Sequence, residues 1–358
     1  MLDRVTLTVD LGAVAANART VAAALPGIEI VGVTKCTCGS PEVARTMLGG
    51  GAVAIGESRH ENGARLRAAG IDAPLWLLRG TVPQRAAETV DLFDVSLESE
   101  LETVEALDAA AARHHRTHAI VAMVDLGDLR EGMLPAALPA FTVAVDALAH
   151  IELAGVGVNL TCYGAIVPDE DNLGRLAALA ADVERLTGRP LRYVSGGNSG
   201  SIGMVLSGRM PAAVKTLRIG ESILLGVDTL TRDPLPLGLR LDAFVVSAPV
   251  IECFVKPSLP LGTSAQDAFG NFPTFTDHGE RRRAICALGR QDAPPEGLVP
   301  VDPRVKVLGA SSDHLILDVE DLERPPALGE PLSFVPNYAA TLQLFTSPYV
   351  HKVFTPPA

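Results

Sequence analysis

Aromatic residues are scarce in this chain, at 4%, which leaves too few rings for a base-stacking platform. Basic residues are not massed either. Apart from Arg281-Arg282-Arg283 there is no Lys/Arg block, and the net charge is −12, so a nucleic-acid partner is not expected. No apolar run approaches the roughly 20 residues of a membrane span, so no membrane partner is expected. The opening residues, Met1-Leu2-Asp3-Arg4-Val5, read as a strand and lack the apolar core of a signal peptide. The five cysteines (Cys36, Cys38, Cys162, Cys253 and Cys286) have no regular pairing. That argues against a disulfide framework and for a reducing, cytoplasmic compartment. Cys36 and Cys38 form a C-x-C pair with no second pair, so no metal is expected; small, soft packing is the better reading.

What the chain does have is apolar mass. Its 358 residues are 47% hydrophobic and 20% charged, enough for two domains, one of which can be a barrel of roughly 200–250 residues. Short apolar runs recur with helical stretches between them. They include Ile30–Val33, Ala52–Gly56, Pro74–Leu78, Leu92–Ser96, His118–Val124, Leu153–Val158, Leu191–Ser195 and Thr216–Ile219. Helices start at plausible caps, such as Asp10 and Ser40-Pro41-Glu42. About eight such units predict α/β architecture with an N-terminal (β/α)8 barrel over residues 1–232, of which residues 1–9 can be a strand joining the second domain. Past Arg232-Asp233-Pro234 the helical periodicity stops. Short strands separated by Pro, Gly and Asp predict a C-terminal all-β domain over 233–358.

Active residues of a barrel lie at the carboxyl ends of its strands. The sequence places Lys35, Glu57, Arg79, Asp125, Asn159, Ser195–Ser199 and Arg218–Gly220 there. Lys35 ends an apolar run. A lysine in such a place either snorkels to solvent or serves as a nucleophile able to form a Schiff base. The Gly/Ser loop Ser195–Ser201 is either a flexible turn or a cradle whose backbone amides hold phosphate. Arg218 is either a surface ion pair or part of the phosphate site usual after the last two barrel strands. Taken together, in barrel order, the three point to a phosphate-bearing cofactor bound covalently by Lys35.

Several stretches carry a resemblance across nearly the whole chain. They are Gly32-Val33-Thr34-Lys35, Asp125-Leu126-Gly127-Asp128-Leu129-Arg130-Glu131-Gly132, Asn159-Leu160-Thr161-Cys162-Tyr163-Gly164, Ser195-Gly196-Gly197-Asn198-Ser199, Leu217-Arg218-Ile219-Gly220-Glu221, Leu288-Gly289-Arg290-Gln291-Asp292 and Gly309-Ala310-Ser311-Ser312-Asp313-His314. With these the chain resembles the fold-type III pyridoxal-phosphate enzymes, the alanine racemase superfamily, and within it the ornithine racemase branch. The resemblance implies a racemase that uses pyridoxal 5'-phosphate on a basic amino acid such as ornithine, built as a homodimer with active sites at the interface. It implies that Lys35 holds the cofactor aldehyde and acts as base on one face. It further implies that Arg130 bonds the phenolic oxygen, Asn198-Ser199 and Ile219-Gly220 bind phosphate, Arg218 faces the pyridine nitrogen, and Tyr338 lies near the phosphate.

Racemisation also needs an acid/base on the opposite face of Cα. The superfamily's Tyr-Gly pair is Leu261-Gly262 here, its lysine before the barrel aspartate is Met123, and its histidine beneath the ring is Asn159. The second base is therefore open among Asp313, His314, Asp267 and Cys162-Tyr163, with Asp313 and His314 put forward. Asp267, Asp292, Asp313 or Glu221 is available for the distal ammonium of a basic substrate. Decarboxylation or epimerisation on the same scaffold, and a non-catalytic cofactor-binding role, are the competing readings.

Overall fold

The computed structural model describes residues 4–356; Met1-Leu2-Asp3 of the expected first strand lie outside them. The chain divides into two compact units. One is Leu11–Arg240; the other joins the N-terminal residues up to Asp10 with everything from Leu241 on.

The first strand, β1 (Thr6–Asp10), belongs to the second of these units, and α1 (Leu11–Ala24) opens the barrel unit directly after it. Strands and helices then alternate: β2 (Glu29–Val33), α2 (Pro41–Gly49), β3 (Ala54–Glu57), α3 (His60–Ala68), β4 (Leu75–Leu77), α4 (Ala86–Leu92), β5 (Val95–Glu98), α5 (Leu101–Arg113), β6 (His118–Met123), α6 (Leu138–Asp146), β7 (Ile151–Gly157), α7 (Glu170–Thr187), β8 (Tyr193–Ser195), α8 (Ile202–Leu206), β9 (Thr216–Ile219) and α9 (Glu221–Leu225). β2 to β9 close into a parallel barrel, β2 pairing with β9. Local chemistry sets the helix ends. Ser40 Oγ accepts the Val43 amide at the start of α2, with Pro41 in the first turn. Asp169 and Asn172 form a reciprocal capping box on α7, which ends at Gly188 with φ 68°.

The strands bury both faces. Val31, Ala54, Trp76, Val95, Leu97, Ala119, Val121 and Met123 form one cluster, the inward set. The alternate residues Ile120, Ala122 and Val124 pack with α5, α6 and α7 through Leu107, Phe141, Leu173 and Leu176. The period of two thus sorts each strand into a lumen side and a helix side.

The other unit continues with β10 (Phe244–Pro257), β11 (Glu280–Cys286), β12 (Leu298–Pro300), β13 (Lys306–Ala310), β14 (Leu315–Asp318), β15 (Pro331–Pro336), α10 (Tyr338–Thr346) and β16 (His351–Thr355). Its strands run in the order β12-β15-β10-β11-β14-β13, and β1 is inserted between β10 and β16. The expectation of an all-β domain needs one amendment. Asn337 caps α10 by accepting the Ala340 amide at 3.0 Å, and Phe345 on that helix meets Phe244 of β10 edge-on. The sequence hides this helix because its nine residues are almost all apolar or small and so show no amphipathic period.

Candidate active site

The loops at the carboxyl ends of the barrel strands carry the polar residues. β2 stops at Val33, two residues short of Lys35, so Lys35 is not the strand-end residue the sequence suggested. It opens a single 3-10 turn, Lys35–Thr37, which ends at Cys38 with φ 50°. The turn is closed by amide bonds from Thr37 and Gly39 to the Thr34 carbonyl. Among the described residues no hydrogen bond or ion pair holds the Lys35 ammonium. Beside it, burial pushes the Cys36 thiol up to about 12, so that sulfur packs and does not react.

Arg218 overturns the surface-pair reading. Its position on β9 is level with Val31, whose side chain fills the lumen, so the guanidinium enters the barrel from the inward face. It is 5% exposed. It donates to Ser195 Oγ, to the Val158 carbonyl at 2.8 Å and to Asn159 Oδ1 at 3.5 Å. No carboxylate forms an ion pair with it among the described residues. Burial lowers its pKa to about 10, so it stays a cation at neutral pH.

The Gly/Ser loop after β8 is held, not floppy. Asn198 Oδ1 accepts the Gly200 amide at 2.8 Å, while its Nδ2 donates to the Leu160 carbonyl at 2.8 Å and to Thr161 and Asn159. One side chain thereby locks the loop after β7 to the loop after β8. Ser199 Oγ accepts the Ser222 amide at the start of α9. A Cβ at Gly220 would lie 2.9 Å from the Val33 carbonyl, so only glycine lets the strand carrying Arg218 approach the strand leading to Lys35 so closely.

Arg130 lies in the loop after β6. Its guanidinium is paired two-pronged with Glu131, and Cys162 is also within its reach. Asp125 shapes that loop by accepting the amides of Gly127 and Leu129. The buried Asp128 carboxylate accepts the amides of Tyr163 and Gly164 from the next loop. Cys162 is exposed, with Asn198 Nδ2 3.3 Å from its sulfur.

The barrel therefore gathers Lys35, Arg130, Asn198, Ser199, Arg218, Ile219 and Gly220 at one end. Asp313, His314 and Tyr338 belong to the other unit. Asp313 and His314 occupy the exposed hairpin between β13 and β14. Asp313 accepts from Gln291 and Ser312, and His314 meets Ser311 Oγ. Tyr338 is the first residue of α10. Asp267 is a turn aspartate that accepts the amides of Phe269 and Asn271, and Asp292 is buried against Ser347. Among the described residues no His, Cys, Asp and Glu group could hold a metal ion, and no helix is long and apolar enough to cross a membrane.

Two carboxylates at strand ends face away from the lumen. Glu57 and Glu98 alternate with inward residues and are buried behind the barrel wall. The sequence put Glu57 in the mouth of the barrel; strand alternation puts it against Thr34 and Asn62 instead. Asn62 and Arg65, which share its surroundings with Thr34, went unremarked in the sequence because nothing local distinguishes them from ordinary helix residues.

The fold that positions these groups, a closed (β/α)8 barrel followed by an antiparallel sheet domain, is that of solved alanine racemases. The enzyme of Streptomyces lavendulae aligns over 99% of this chain and 98% of its own, with a TM-score of 0.76 and 22% identity. A structure of the Bartonella henselae enzyme with covalently bound pyridoxal phosphate aligns over 99% and 100%, with a TM-score of 0.74 and 17% identity. Residues 9–227 match the family described as alanine racemase, N-terminal domain, and the chain belongs to that family. Two relatives are more similar in sequence. The lysine racemase of Thermotoga maritima is 39% identical over 355 residues, 98% of each chain. The ornithine racemase of Acetoanaerobium sticklandii is 39% identical over 321 residues, 89% of this chain and 90% of its own.

Proposed function

We propose that this protein is a pyridoxal-phosphate-dependent racemase of a basic amino acid, ornithine or lysine, that moves the Cα proton from one face to the other. The observation that carries the reading is Arg218, a buried cation whose hydrogen bonds go to neutral acceptors. Such a group suits an uncharged ring nitrogen and does not suit a second cation. The near full-length likeness to enzymes named lysine and ornithine racemase supports the substrate class. It does not favour decarboxylation or a carrier role.

The residues fit the cofactor. Lys35 would hold its aldehyde, Arg130 its phenolic oxygen, and the Asn198-Ser199 and Ile219-Gly220 backbones its phosphate. Bound there, pyridoxal phosphate supplies an electron sink for the charge left on Cα. Lys35, whose ammonium no hydrogen bond or ion pair holds among the described residues, takes and returns the proton on one face. Arg218 can neither release its proton nor accept one, so it leaves the ring nitrogen unprotonated and keeps the sink weak. A weak sink favours prompt return of the proton to Cα over transamination. Asn198 keeps the two loops that floor the pocket in register. The opposite face needs a second proton-carrying group, for which Asp313, His314 and Cys162 are the candidates. The active form is a homodimer.

The test is direct. Borohydride treatment of the protein with pyridoxal phosphate should fix the cofactor on Lys35, and D- and L-ornithine or lysine should interconvert on chiral chromatography with deuterium entering Cα from solvent. A protein that fixes no cofactor, or that yields a decarboxylated product, refutes the reading.

A further inference from the structure

Two carboxyls, Glu57 on β3 and Glu221 at the start of α9, lie within reach of the charge of Lys35. Burial raises the pKa of both, and the Lys35 charge is the weakest of the pulls against it. The thiol of Cys36, on its own turn, is the third titratable neighbour. Glu221 is already matched by Arg232, which bonds one carboxylate oxygen while Thr229 bonds the other. Among the described residues Glu57 has no ion-pair partner of this kind. It is fully buried and receives three donors: the Thr34 hydroxyl, the Asn62 amide at 2.9 Å and the Ser58 backbone N–H at 3.3 Å.

Hydrogen-bond accounting fixes its ionisation. Arg65 can only donate, and it donates to Asn62 Oδ1 at 3.0 Å. The amide of Asn62 must therefore present its NH2 to Glu57. Ser58 N–H can likewise only donate, so one Glu57 oxygen must accept. The other oxygen is the acceptor of the Thr34 hydroxyl. A protonated Glu57 would leave one of these hydrogens without an acceptor in a site closed to water, whereas the anion satisfies all three. The same network grips the cofactor turn from both ends. Thr34 immediately precedes Lys35, Arg65 also donates to the Cys38 carbonyl that follows it, and a Cβ at Gly39 would lie 2.8 Å from Asn62.

We propose that Glu57 is the positioning residue of the cofactor lysine: its buried carboxylate fixes the Thr34–Gly39 turn through Thr34, Asn62 and Arg65. The inference rests on Lys35 being the cofactor lysine.

Glu57→Asp keeps the charge but draws the oxygens back from Thr34, and Thr34→Val removes the hydroxyl that ties Glu57 to the turn. In the full-length chain both should slow borohydride trapping of pyridoxal phosphate at Lys35 several-fold at an unchanged melting temperature, while Thr34→Ser, which keeps the hydroxyl, should trap as fast as wild type. Trapping as fast as wild type in Glu57→Asp overturns the proposal, and so does trapping in Thr34→Ser as slow as in Thr34→Val. Wild-type protein that traps no pyridoxal phosphate at Lys35 overturns the reading of the site itself, and this inference with it.

Discussion

Glu98 offers a sharp test of the barrel's energetics. It ends β5 on the helix side of the wall and is 2% exposed. Its Oε1 has no hydrogen-bond partner, and burial pushes its pKa up to about 8 against the weaker pull of Ser96 and the Thr81 amide. In the unfolded chain the carboxyl ionises near 4.5. Between those two values the folded state keeps a proton that the unfolded state has lost, so stability falls as pH rises from about 4.5 to about 8. Each unit of difference is worth about 1.4 kcal/mol, so the wild type should lose about 3 kcal/mol between pH 5 and pH 7.5 through this one group. Glu98→Gln has nothing to ionise and should lose none of it. The amide also leaves one donor unpaired, as the neutral acid does, so the two proteins should be close to equal at pH 5. Urea unfolding at the two pH values, followed by the fluorescence of Trp76, measures the difference. Trp76 is the chain's single tryptophan and lies in the barrel lumen, edge-on to Tyr193. All other titrating groups are common to both proteins and cancel. If wild type and Glu98→Gln show the same change in stability between pH 5 and pH 7.5, Glu98 is not a buried neutral acid and the argument is wrong.

Other expectations follow from the same chemistry. His118 is held neutral by burial, its pKa lowered to about 4; the folded state resists a proton that the unfolded state accepts, so stability should fall by about 3 kcal/mol as pH drops from 6.5 to 4, and His118→Gln should remove that loss in acid urea titrations. Gly220→Ala sets a methyl against the Val33 carbonyl; it should cost about 1–3 kcal/mol and weaken pyridoxal-phosphate binding in a fluorescence titration. Lys35→Ala should abolish the borohydride-stable adduct while leaving the melting curve intact. Among Cys162→Ser, Asp313→Asn and His314→Gln, the one that removes the opposite-face group should still wash deuterium into one enantiomer while stopping interconversion, a split that mass spectrometry of resolved enantiomers reads directly.

Much of the barrel was legible because its signal is local. Continuous apolar strands such as Ala119–Met123 can only be buried on both faces, and glycine, proline and acid mark the helix ends around them. The placement of Arg218 was legible only in part. The sequence put it at the last strand, but its burial depends on the register that sets it beside Val31, and register is a tertiary fact. The outward turn of Glu57 was missed for the same reason, since one residue of phase separates the lumen from the helix layer. Helix α10 was missed because its residues are almost all apolar or small, so its burial against the sheet carries no period to read.

The strand that begins the described chain has a consequence for how the molecule is made. β1 lies between β10 and β16, and Thr355 Oγ1 reaches the carbonyl of Val9, 346 residues away in sequence. At a synthesis rate of about 5–20 residues per second, β1 leaves the ribosome roughly 20–70 seconds before its last neighbour exists. The barrel, whose strands pair in sequence order except at the single β2–β9 closure, can form in the meantime. The sheet domain therefore cannot be finished until β16 has been made, and until then β1 is a bare edge in need of protection.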